Sequence, residues 1–377
     1  MKVLHIIGGG DTGGAKTHVL TMVKELGKHI EIKIISLRPG VFSDEAREMG
    51  INVEVIKSGN IFADMRNVIS IIRDGGYQII HSHGAKANLF GIASKYFTKL
   101  PSITTVHSDY KLDYLESVPK MLSFGLVNTF ALRFFDYYVA VSGNFKRMLV
   151  DRKFESDRIF TVYNGMDFSK TLKNYSRSTF AKKYKLDIKE EDVVIGVLAR
   201  LDPVKGLNSF ANAAGDILKT NPSVKFILGG EGKERKTLEN RIKALGISDH
   251  VFLPGWIDDP FEFMSCIDIN VLTSLSESFP YVILEGTFFK KATVSSDVGG
   301  ISDLIEDGVT GFLFKPGDYK KLAQHLILLA NNPSLRDEMG HKIYEKASTQ
   351  FSLENMCRTQ LEIYTNILDR GKYAKNC

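Results

Sequence analysis

An apolar run, a sharp polar turn and a second apolar stretch follow one another in the last third of the chain. The run Ile267–Thr273 has the length and composition of a buried strand. The turn after it, Leu275–Phe279, leads to Pro280, which suits the first turn of a helix because proline has no backbone N–H to leave unpaired. This strand–turn–helix order predicts free backbone N–H groups at the helix start, where an anion such as phosphate can bind.

Two glutamates flank this predicted anion site: Glu277 in the turn and Glu285 inside the helix. A carboxylate does not bind phosphate, but it accepts hydrogen bonds from hydroxyl groups. Amides for phosphate, with acids on either side for hydroxyls, fit a sugar that is joined to a nucleoside through a diphosphate. The alternative is a strand–turn–helix that carries two solvated glutamates.

Apolar strands and helical segments alternate along the chain, which favours an α/β fold with parallel sheets and helices on both faces. The length of 377 residues favours two domains, and the polar, lysine-rich segment Ser169–Lys189 is predicted to link them. Ligands of doubly wound sheets bind beyond the carboxyl ends of the strands. The residues that follow each strand are therefore the candidates for function.

The first predicted strand, Val3–Ile7, runs into a loop in which Gly8, Gly10 and Gly13 match the dinucleotide-binding fingerprint. A nicotinamide-dependent oxidoreductase is nevertheless disfavoured. The second strand, Glu31–Leu37, lacks the acid at its end that would bind a ribose. A nicotinamide-dependent change in absorbance would test this alternative.

Two cations follow the predicted strand Val193–Leu198: Arg200 and Lys205, five residues apart across a turn that contains proline and glycine. Arginine offers a planar fork of donors and lysine a mobile point charge. Two cations at a strand-to-helix turn are what a diphosphate leaving group needs as negative charge builds on it. The alternative is a solvated pair near a turn.

Histidines stand at the ends of two predicted strands: His81 closes the strand Tyr77–His81 and His83 follows it, and His107 follows Ser102–Val106. The spacing of His81 and His83 would suit a metal ion, but the sequence shows no third ligand. A single histidine at a strand end is more often structural than functional, so the residues alone leave both roles open.

These motifs, in this order, resemble those of the retaining glycosyltransferase family 4. The shared features are Gly13-Gly14 followed by His18, Arg200-x4-Lys205, Gly230-Glu231-Gly232, Glu277-x7-Glu285 with Phe279-Pro280 between, and Gly299-Gly300. The resemblance covers nearly the whole chain. It implies the GT-B fold, in which two Rossmann-like, doubly wound parallel-sheet domains face each other across a cleft.

The resemblance also implies a domain plan. Residues 1–168 would bind the acceptor and residues 169–352 the nucleotide-sugar, while a terminal helix in 353–377 would cross back to the first domain.

The activity implied is transfer of a sugar, with retention at the anomeric carbon, from a nucleoside diphosphate-sugar to an acceptor hydroxyl. UDP is the expected nucleotide, and cell-surface polysaccharide or glycolipid the expected product. The catalytic residues implied are His107, Arg200, Lys205 and Glu277. The donor-binding residues implied are Gly13, Gly14, Arg200, Lys205, Glu231, Trp256, Glu277, Ser278, Phe279, Pro280, Tyr281, Val282 and Glu285. The acceptor-binding residues implied are Lys16, His83 and His107.

No metal or other cofactor is expected, because two cationic side chains and a helix N-terminus already meet the diphosphate charge, and the chain has no Asp-x-Asp pair. Two other functions stay open on the sequence. A sugar-nucleotide epimerase of the same fold would release nucleotide without an acceptor, and a non-catalytic subunit would bind the nucleotide-sugar without turnover.

Charge and composition bear on location. Residues 1–170 carry 22 Lys+Arg against 17 Asp+Glu, whereas residues 171–377 carry 27 of each, so the whole excess of +5 lies in the first part. Basic residues do not cluster with aromatic ones on one element, so no nucleic-acid partner is expected. Three cysteines without metal or disulfide spacing, Cys266, Cys357 and Cys377, favour the reducing cytoplasm.

A weak peripheral contact with the inner face of a membrane is also predicted. Residues Tyr110–Tyr138 are rich in apolar side chains and carry Lys111, Lys120 and Arg133. The apolar members at helical spacing are Met121, Phe124, Leu126 and Phe130. Such a stripe is either part of the core, which is the commoner outcome, or an interfacial helix that brings the acceptor site to a lipid-linked substrate.

Overall fold

The structure is a computed structural model of the chain, and it describes residues 1–10, 13–110, 126–171, 173 and 175–375. The chain divides into two compact units. The first unit comprises Met1–Gly165 and Leu353–Cys377, and the second comprises Met166–Ser352. Met121, Phe124, Lys111 and Lys120, which belong to the predicted interfacial segment, lie outside the described residues.

The described part of the first unit contains a parallel sheet. Its strands are β1 (Lys2–Ile7), β2 (Glu31–Ser36), β3 (Val53–Val55), β4 (Ile79–His83), β5 (Ser102–Val106), β6 (Tyr137–Ala140) and β7 (Ile159–Thr161). Their order is β3-β2-β1-β4-β5-β6-β7, and every pair is parallel. The order reverses between β1 and β4, and such a switch point is where doubly wound sheets bind their ligands.

Helices connect these strands. They are α1 (Gly14–Leu26), α2 (Val41–Glu48), α3 (Ile61–Gly75), α4 (Ala85–Thr98), α5 (Leu126–Leu132) and α6 (Gly143–Asp151), with a 3-10 turn at Ser156–Arg158. Alternate residues of a strand face opposite sides. In β1, Leu4 and Ile6 therefore pack with α4, whereas Val3 and Ile7 pack with α1.

The second unit repeats the same plan. Its strands are β8 (Val193–Leu198), β9 (Val224–Gly229), β10 (Val251–Gly255), β11 (Ile269–Leu272), β12 (Ala292–Ser296) and β13 (Phe312–Phe314). The order among the described strands is β10-β9-β8-β11-β12-β13, all parallel, so the switch point lies between β8 and β11.

The helices of the second unit are α7 (Arg177–Tyr184), α8 (Leu207–Leu218), α9 (Arg235–Leu245), α10 (Pro260–Cys266), α11 (Tyr281–Phe288), α12 (Ile301–Leu304), α13 (Tyr319–Asn331) and α14 (Pro333–Gln350), with a 3-10 turn at Pro203–Lys205. Apolar side chains of β8, β9 and β11 form the main core with α8 and α13.

The terminal helix α15 (Leu353–Lys375) belongs to the first unit, where it packs against α1. Its buried side chains Met356, Ile363, Tyr364 and Ile367 cover the sheet face that carries Val3 and Ile7. The two sheets are thus of the Rossmann type expected of a GT-B protein.

Two positions differ from the sequence prediction. The strand predicted at Tyr77–His81 is β4, Ile79–His83, so His83 lies inside the strand and not after it, because its ring is buried and hydrogen-bonded and continues the strand's buried run. Pro280 lies one residue before α11 as its N-cap, with ψ of 127°, and not within the first turn.

Candidate functional site

The loops after β8 and β11 lie side by side at the switch point of the second sheet. Lys205, after β8, forms an ion pair with Glu277, after β11. Ser274 Oγ donates to Oε1 of the same glutamate at 2.6 Å, and Thr273 Oγ1 donates to the carbonyl oxygen of Lys205 at 2.8 Å. The structure therefore joins the cation predicted to bind the phosphate and the acid predicted to bind the sugar in one largely buried, hydrogen-bonded group.

Two glycines allow this close approach of the loops. Gly206 has φ of +58°, and a Cβ atom there would lie 2.3 Å from the carbonyl oxygen of Thr273. Gly299 also has φ of +58°, and its Cβ atom would lie 1.8 Å from the carbonyl oxygen of Glu277. A larger residue at Gly206 would push the Lys205 and Glu277 loops apart, and a larger residue at Gly299 would displace the backbone at Glu277.

Arg200 stands apart from this group. Its guanidinium pairs with Asp202 at 2.9 Å, and 62% of its side chain is exposed. An exposed ion pair adds little to stability, so exchanging Asp202 for an anionic ligand would cost little free energy. Arg200 is therefore suited to engage a diphosphate only when one is bound.

The start of α11 supplies backbone donors. Tyr281 and Val282 are the first two residues of the helix, and the N–H of Ile283 donates to the carbonyl of Pro280, the N-cap, at 3.3 Å. Acidic side chains are absent from this first turn. The helix start therefore keeps the character of an anion site.

Two residues before the helix act through their backbone. The ring of Phe279 is 1% exposed and packs on Phe351 with ring centroids 5.1 Å apart. The carbonyl of Ser278 accepts from the N–H of Gly300 at 2.8 Å. These contacts fix the turn, and the Phe279 side chain is not available to a donor.

Glu285 lies on α11, and burial raises its carboxyl pKa to about 7, with a smaller contribution from Asp259. Asp259 is itself held in place: it accepts from the Tyr175 hydroxyl at 2.8 Å and caps α10 through the N–H of Phe261. A carboxyl group with a pKa near neutrality is half ionised at physiological pH. Its capacity to accept hydrogen bonds from ribose hydroxyls therefore depends on pH.

Glu231 and Trp256 follow the neighbouring strands β9 and β10. Glu231 pairs with Arg235 at 2.5 Å, and Arg235 also donates to the carbonyl of Leu253 at 3.0 Å. Trp256 is 64% exposed, which is uncommon for a tryptophan. The structure thus places an exposed aromatic surface and a held carboxylate at the same edge of the sheet.

In the first unit, His107 lines a cavity of about 310 Å³ at the carboxyl end of β5, shared with Gly84, Ala85 and Ala15 at the starts of α4 and α1. Asn88 shapes its floor, since it accepts from the Thr104 hydroxyl at 2.8 Å and donates to Asn128 at 2.8 Å. Polar side chains and two helix starts make this cavity suitable for a hydroxylated ligand.

The glycine-rich loop leads to the same edge. Gly13 is the N-cap of α1 with φ of +66°, a conformation that disfavours other residues, and Gly14 begins the helix. Lys16 forms an ion pair with Glu45 of α2, so its charge is balanced within the unit. Binding of an acceptor by Lys16 would require breaking that pair.

A layer of five histidines occupies the switch point of the first sheet: His5, His18, His81, His83 and His107, out of nine in the chain. Burial lowers the pKa of each of these rings, to about 3 for His5 and about 4 for His18. The rings are therefore neutral near pH 7.

His18 adds an acceptor atom to this layer. Its Nδ1 is 2.8 Å from Asn164 Oδ1, so Nδ1 carries the proton. Its Nε2 is buried without a hydrogen-bond partner. The ring packs edge-on against His107 with centroids 5.0 Å apart.

His81 and His83 have a third potential metal ligand beside them, contrary to the prediction from the sequence. His5 of β1 pairs in register with His81, and one ring nitrogen from each of His5, His81 and His83 lies within 4.8 Å of the others. The described residues thus contain one candidate metal triad. Both ring nitrogens of each histidine already have hydrogen-bond partners, however, which a metal ion would have to displace.

Sequence reasoning missed His5 and Tyr364, and it assigned no function to His18. His5 lies within an apolar strand, and Tyr364 lies 283 residues after its partner His81. A histidine at the centre of a buried strand is the one signal that could have pointed to the layer.

Aromatic side chains are exposed on another part of the first unit, at the C-terminal end of α4 and beside α5. Tyr96, Phe97, Phe130 and Phe134 are 68%, 53%, 68% and 46% exposed. Phe130, a member of the predicted stripe, is therefore not part of the core. An apolar cavity of about 750 Å³ opens beside Tyr96 and Phe134, with Lys95 and Lys99 among its lining. We call this surface the aromatic patch.

No helix among the described residues combines the length and the apolar character needed to cross a membrane.

Two family models match the chain. Glycosyltransferase Family 4 matches residues 12–170, and Glycosyl transferases group 1 matches residues 178–346. The chain belongs to glycosyltransferase family 4. It is a glycosyltransferase with the two Rossmann-like domains of the GT-B fold.

Similar proteins match this chain over nearly its whole length. The O-antigen biosynthesis glycosyltransferase WclY of Escherichia coli is 24% identical over 97% of this chain and 99% of its own. The capsular polysaccharide biosynthesis glycosyltransferase CapM of Staphylococcus aureus is 21% identical over 92% of both. The crystal structure of HepE from Anabaena in complex with UDP has a TM-score of 0.84 at 23% identity, covering 97% of this chain and 100% of that one. This last likeness shows the fold.

Proposed function

We propose that this family 4 member transfers a sugar from UDP-sugar to a hydroxyl of a growing cell-surface polysaccharide or glycolipid, with retention at the anomeric carbon. The observation that carries the proposal is the Lys205–Glu277 group at the switch point, beside the start of α11. The names of WclY and CapM support the product class, and the HepE complexes with UDP and UDP-glucose support the donor.

In this proposal each group has one task. Lys205 and Arg200 stabilise the negative charge that develops on the departing diphosphate, together with the amides of Tyr281 and Val282. Glu277 accepts hydrogen bonds from sugar hydroxyls, and Glu285 accepts those of the ribose. These fixed cations and dipoles supply the charge stabilisation, so we propose a reaction that is independent of metal ions.

The remaining assignments extend this scheme. Gly13, Gly14, Ser278, Phe279 and Pro280 would shape backbone contacts, and Glu231 and Trp256 would flank the nucleoside. Lys16, His83 and His107 would belong to the acceptor side, with His107 also touching the transferred sugar. Residues 1–168 would form the acceptor domain and 169–352 the donor domain, with 353–377 returning to the first.

A donor panel tests the proposal. The protein is incubated with several nucleoside diphosphate-sugars, with and without lipid extract and with and without EDTA, and released nucleotide is measured. We expect release from a UDP-sugar that requires the extract and survives EDTA. Release without any acceptor would favour an epimerase, and binding without release a non-catalytic subunit. The anomeric configuration of the product, read by NMR coupling constants, decides between retention and inversion.

We also propose that the first unit attaches weakly to anionic membranes from the cytoplasmic side through the aromatic patch. Four exposed aromatic rings, with Lys95 and Lys99 nearby, present an interfacial surface, and residues 1–170 hold the whole +5 excess. Such attachment would bring the cavity lined by His107, which we call the acceptor cavity, to a lipid-linked substrate.

Vesicle co-sedimentation at low and high salt tests the attachment. We expect binding to anionic vesicles that falls with salt and with the double change Phe130→Ser and Phe134→Ser. Phe62→Ser is the matched control, because Phe62 is 71% exposed but lies at the start of α3. Equal binding by the double variant and the control would place the contact elsewhere, and no binding at low salt would end the proposal.

A further inference from the structure

Six polar side chains in the interior of the first unit form one unbranched chain of hydrogen bonds. Four of them lie on the same face of neighbouring strands: His5 on β1, His81 and His83 on β4, and Thr105 on β5. Tyr364 belongs to α15, which packs on this face of the sheet, and His107 follows β5 at the acceptor cavity. We call this set the histidine chain.

The contacts run from one end to the other without a gap. Thr105 Oγ1 is 2.7 Å from His81 Nε2, and His81 Nδ1 is 2.6 Å from the Tyr364 hydroxyl. The same hydroxyl is 3.1 Å from His5 Nε2. His5 Nδ1 is then 2.9 Å from His83 Nε2, and His83 Nδ1 is 3.1 Å from His107 Nε2.

Each member of the chain has one proton to donate, because the rings are neutral and a neutral imidazole carries a single N–H. Every contact needs one proton and one lone pair. All five contacts can be satisfied in three ways: with every proton pointing toward Thr105, with every proton pointing toward His107, or with both arms pointing to Tyr364, whose oxygen can accept twice. The directions of the two contacts at Tyr364 therefore fix the direction of every other contact.

The tyrosine hydroxyl shows which direction holds. An O–H donor makes shorter hydrogen bonds than an N–H donor. The 2.6 Å contact is therefore Tyr364 O–H donating to His81 Nδ1, and the 3.1 Å contact is His5 Nε2–H donating to the Tyr364 oxygen. His81 must then carry its proton on Nε2 and donate it to Thr105.

We propose that the histidine chain holds His107 in the Nε2–H tautomer, so that its Nδ1 is a bare acceptor on the ring that lines the acceptor cavity. Tyr364, His5 and His83 are positioning residues in this scheme, since they act through His107. A bare ring nitrogen accepts a hydrogen bond from a hydroxyl but rejects a group that can only accept. The catalytic consequence rests on the proposed function, in which His107 contacts the sugar and the acceptor; the tautomer itself does not.

The tautomer can be measured without any substrate. Protein labelled with nitrogen-15 in its histidine rings is examined by long-range proton–nitrogen correlation near pH 7.5, with His107→Gln to assign the His107 signals. We expect a protonated Nε2 and an unprotonated Nδ1 for His107. A predominantly Nδ1-protonated His107 in the wild type would overturn the proposal.

Tyr364→Phe removes the hydroxyl that joins His81 to His5 and leaves both rings in place. We expect His107 to become a mixture of tautomers, and kcat to fall roughly 10–100-fold with little change in the KM for the donor, as for other losses of positioning. Tyr138→Phe is the matched control, because Tyr138 is a buried tyrosine of the same unit whose hydroxyl donates to the Leu132 carbonyl at 2.6 Å, outside the chain. It should keep the His107 tautomer of the wild type.

A second break protects the test from misfolding. His5→Asn interrupts the chain at another link, and folding of each variant is checked by its thermal transition. If both variants fold and His107 stays fully Nε2-protonated, the chain does not set the tautomer and the proposal fails. If the tautomer responds as expected but His107→Gln turns over normally, the chain stands and the role of His107 in the proposed function falls.

Discussion

The two units share one strand order, yet their switch points hold opposite chemistry. The first holds buried, neutral rings whose hydrogen bonds join neighbouring strands. The second holds charged side chains on loops beyond the strand ends: the largely buried Lys205–Glu277 group and the exposed Arg200. A doubly wound sheet therefore determines where a site lies but not what it does, because the chemistry depends on whether polar residues lie inside the strands or after them.

Acid should break the first site before the second. The pKa values of His5 and His18 are about 3 and about 4 in the folded chain, against the usual 6.5. Between pH 4 and pH 6.5 the unfolded chain therefore binds more protons than the folded chain. Their stabilisation is complete above pH 6.5 and is lost as pH falls toward 4. Each ring that stays neutral should lower the free energy of unfolding by about 1.4 kcal/mol per pH unit in this window.

Hydrogen exchange at pH 7.5 and 5.5 checks this prediction. Amides of β1 and β4 should lose more protection than those of β8 and β11. His18→Gln should reduce the difference, whereas His341→Gln, an exposed histidine of α14, should leave it unchanged. Equal losses in both sheets would contradict a stabilising neutral layer.

Removal of a cation should disable the second site. Lys205→Ala or Arg200→Ala should lower kcat by roughly 10²–10³, the usual loss when one donor to a developing charge is removed. Arg200→Ala should not change the melting temperature, since its ion pair with Asp202 is exposed. Lys219→Ala, which removes an exposed lysine paired with Asp216, is the control. Near-normal turnover in both variants would remove the diphosphate assignment.

The two acids should separate by ligand. Glu285→Ala should weaken UDP binding by about 1–3 kcal/mol, because a charged acceptor is lost. Glu277→Ala should leave UDP affinity nearly intact and weaken the binding that the sugar adds. Calorimetry with UDP and with UDP-sugar distinguishes the two, and a reversed pattern would mean that the roles are exchanged.

The smallest effect concerns pH. Since the Glu285 carboxyl has a pKa of about 7, it accepts hydrogen bonds best above that value, and lowering the pH to 6 should protonate most of it. Wild-type affinity for UDP should fall by up to about tenfold more than that of Glu285→Gln between pH 8 and pH 6. Parallel pH profiles for the two proteins would show that Glu285 does not contact the nucleotide.

The sequence predicted most strands to within two residues because buried parallel strands are continuous apolar runs, as in Val193–Leu198. It also predicted the strand–turn–helix around Glu277, because proline and glycine mark turns locally. It could not predict that Lys205 and Glu277 pair, since they are 72 residues apart and their contact depends on the order of the strands. The link between His5 and His83, 78 residues apart, was hidden for the same reason.

The return of α15 to the first unit has a consequence for biosynthesis. Residues 1–165 leave the ribosome first, yet the hydroxyl that joins His81 to His5 arrives only with Tyr364, after the whole second unit has been translated. Until then the nascent first unit exposes the sheet face that α15 covers, with two imidazole nitrogens of His5 and His81 lacking their partner and open to water. The earliest part of this enzyme to be made is thus the last to be finished, and a chain that stopped before residue 364 would lack Tyr364 and the C-terminal half of α15.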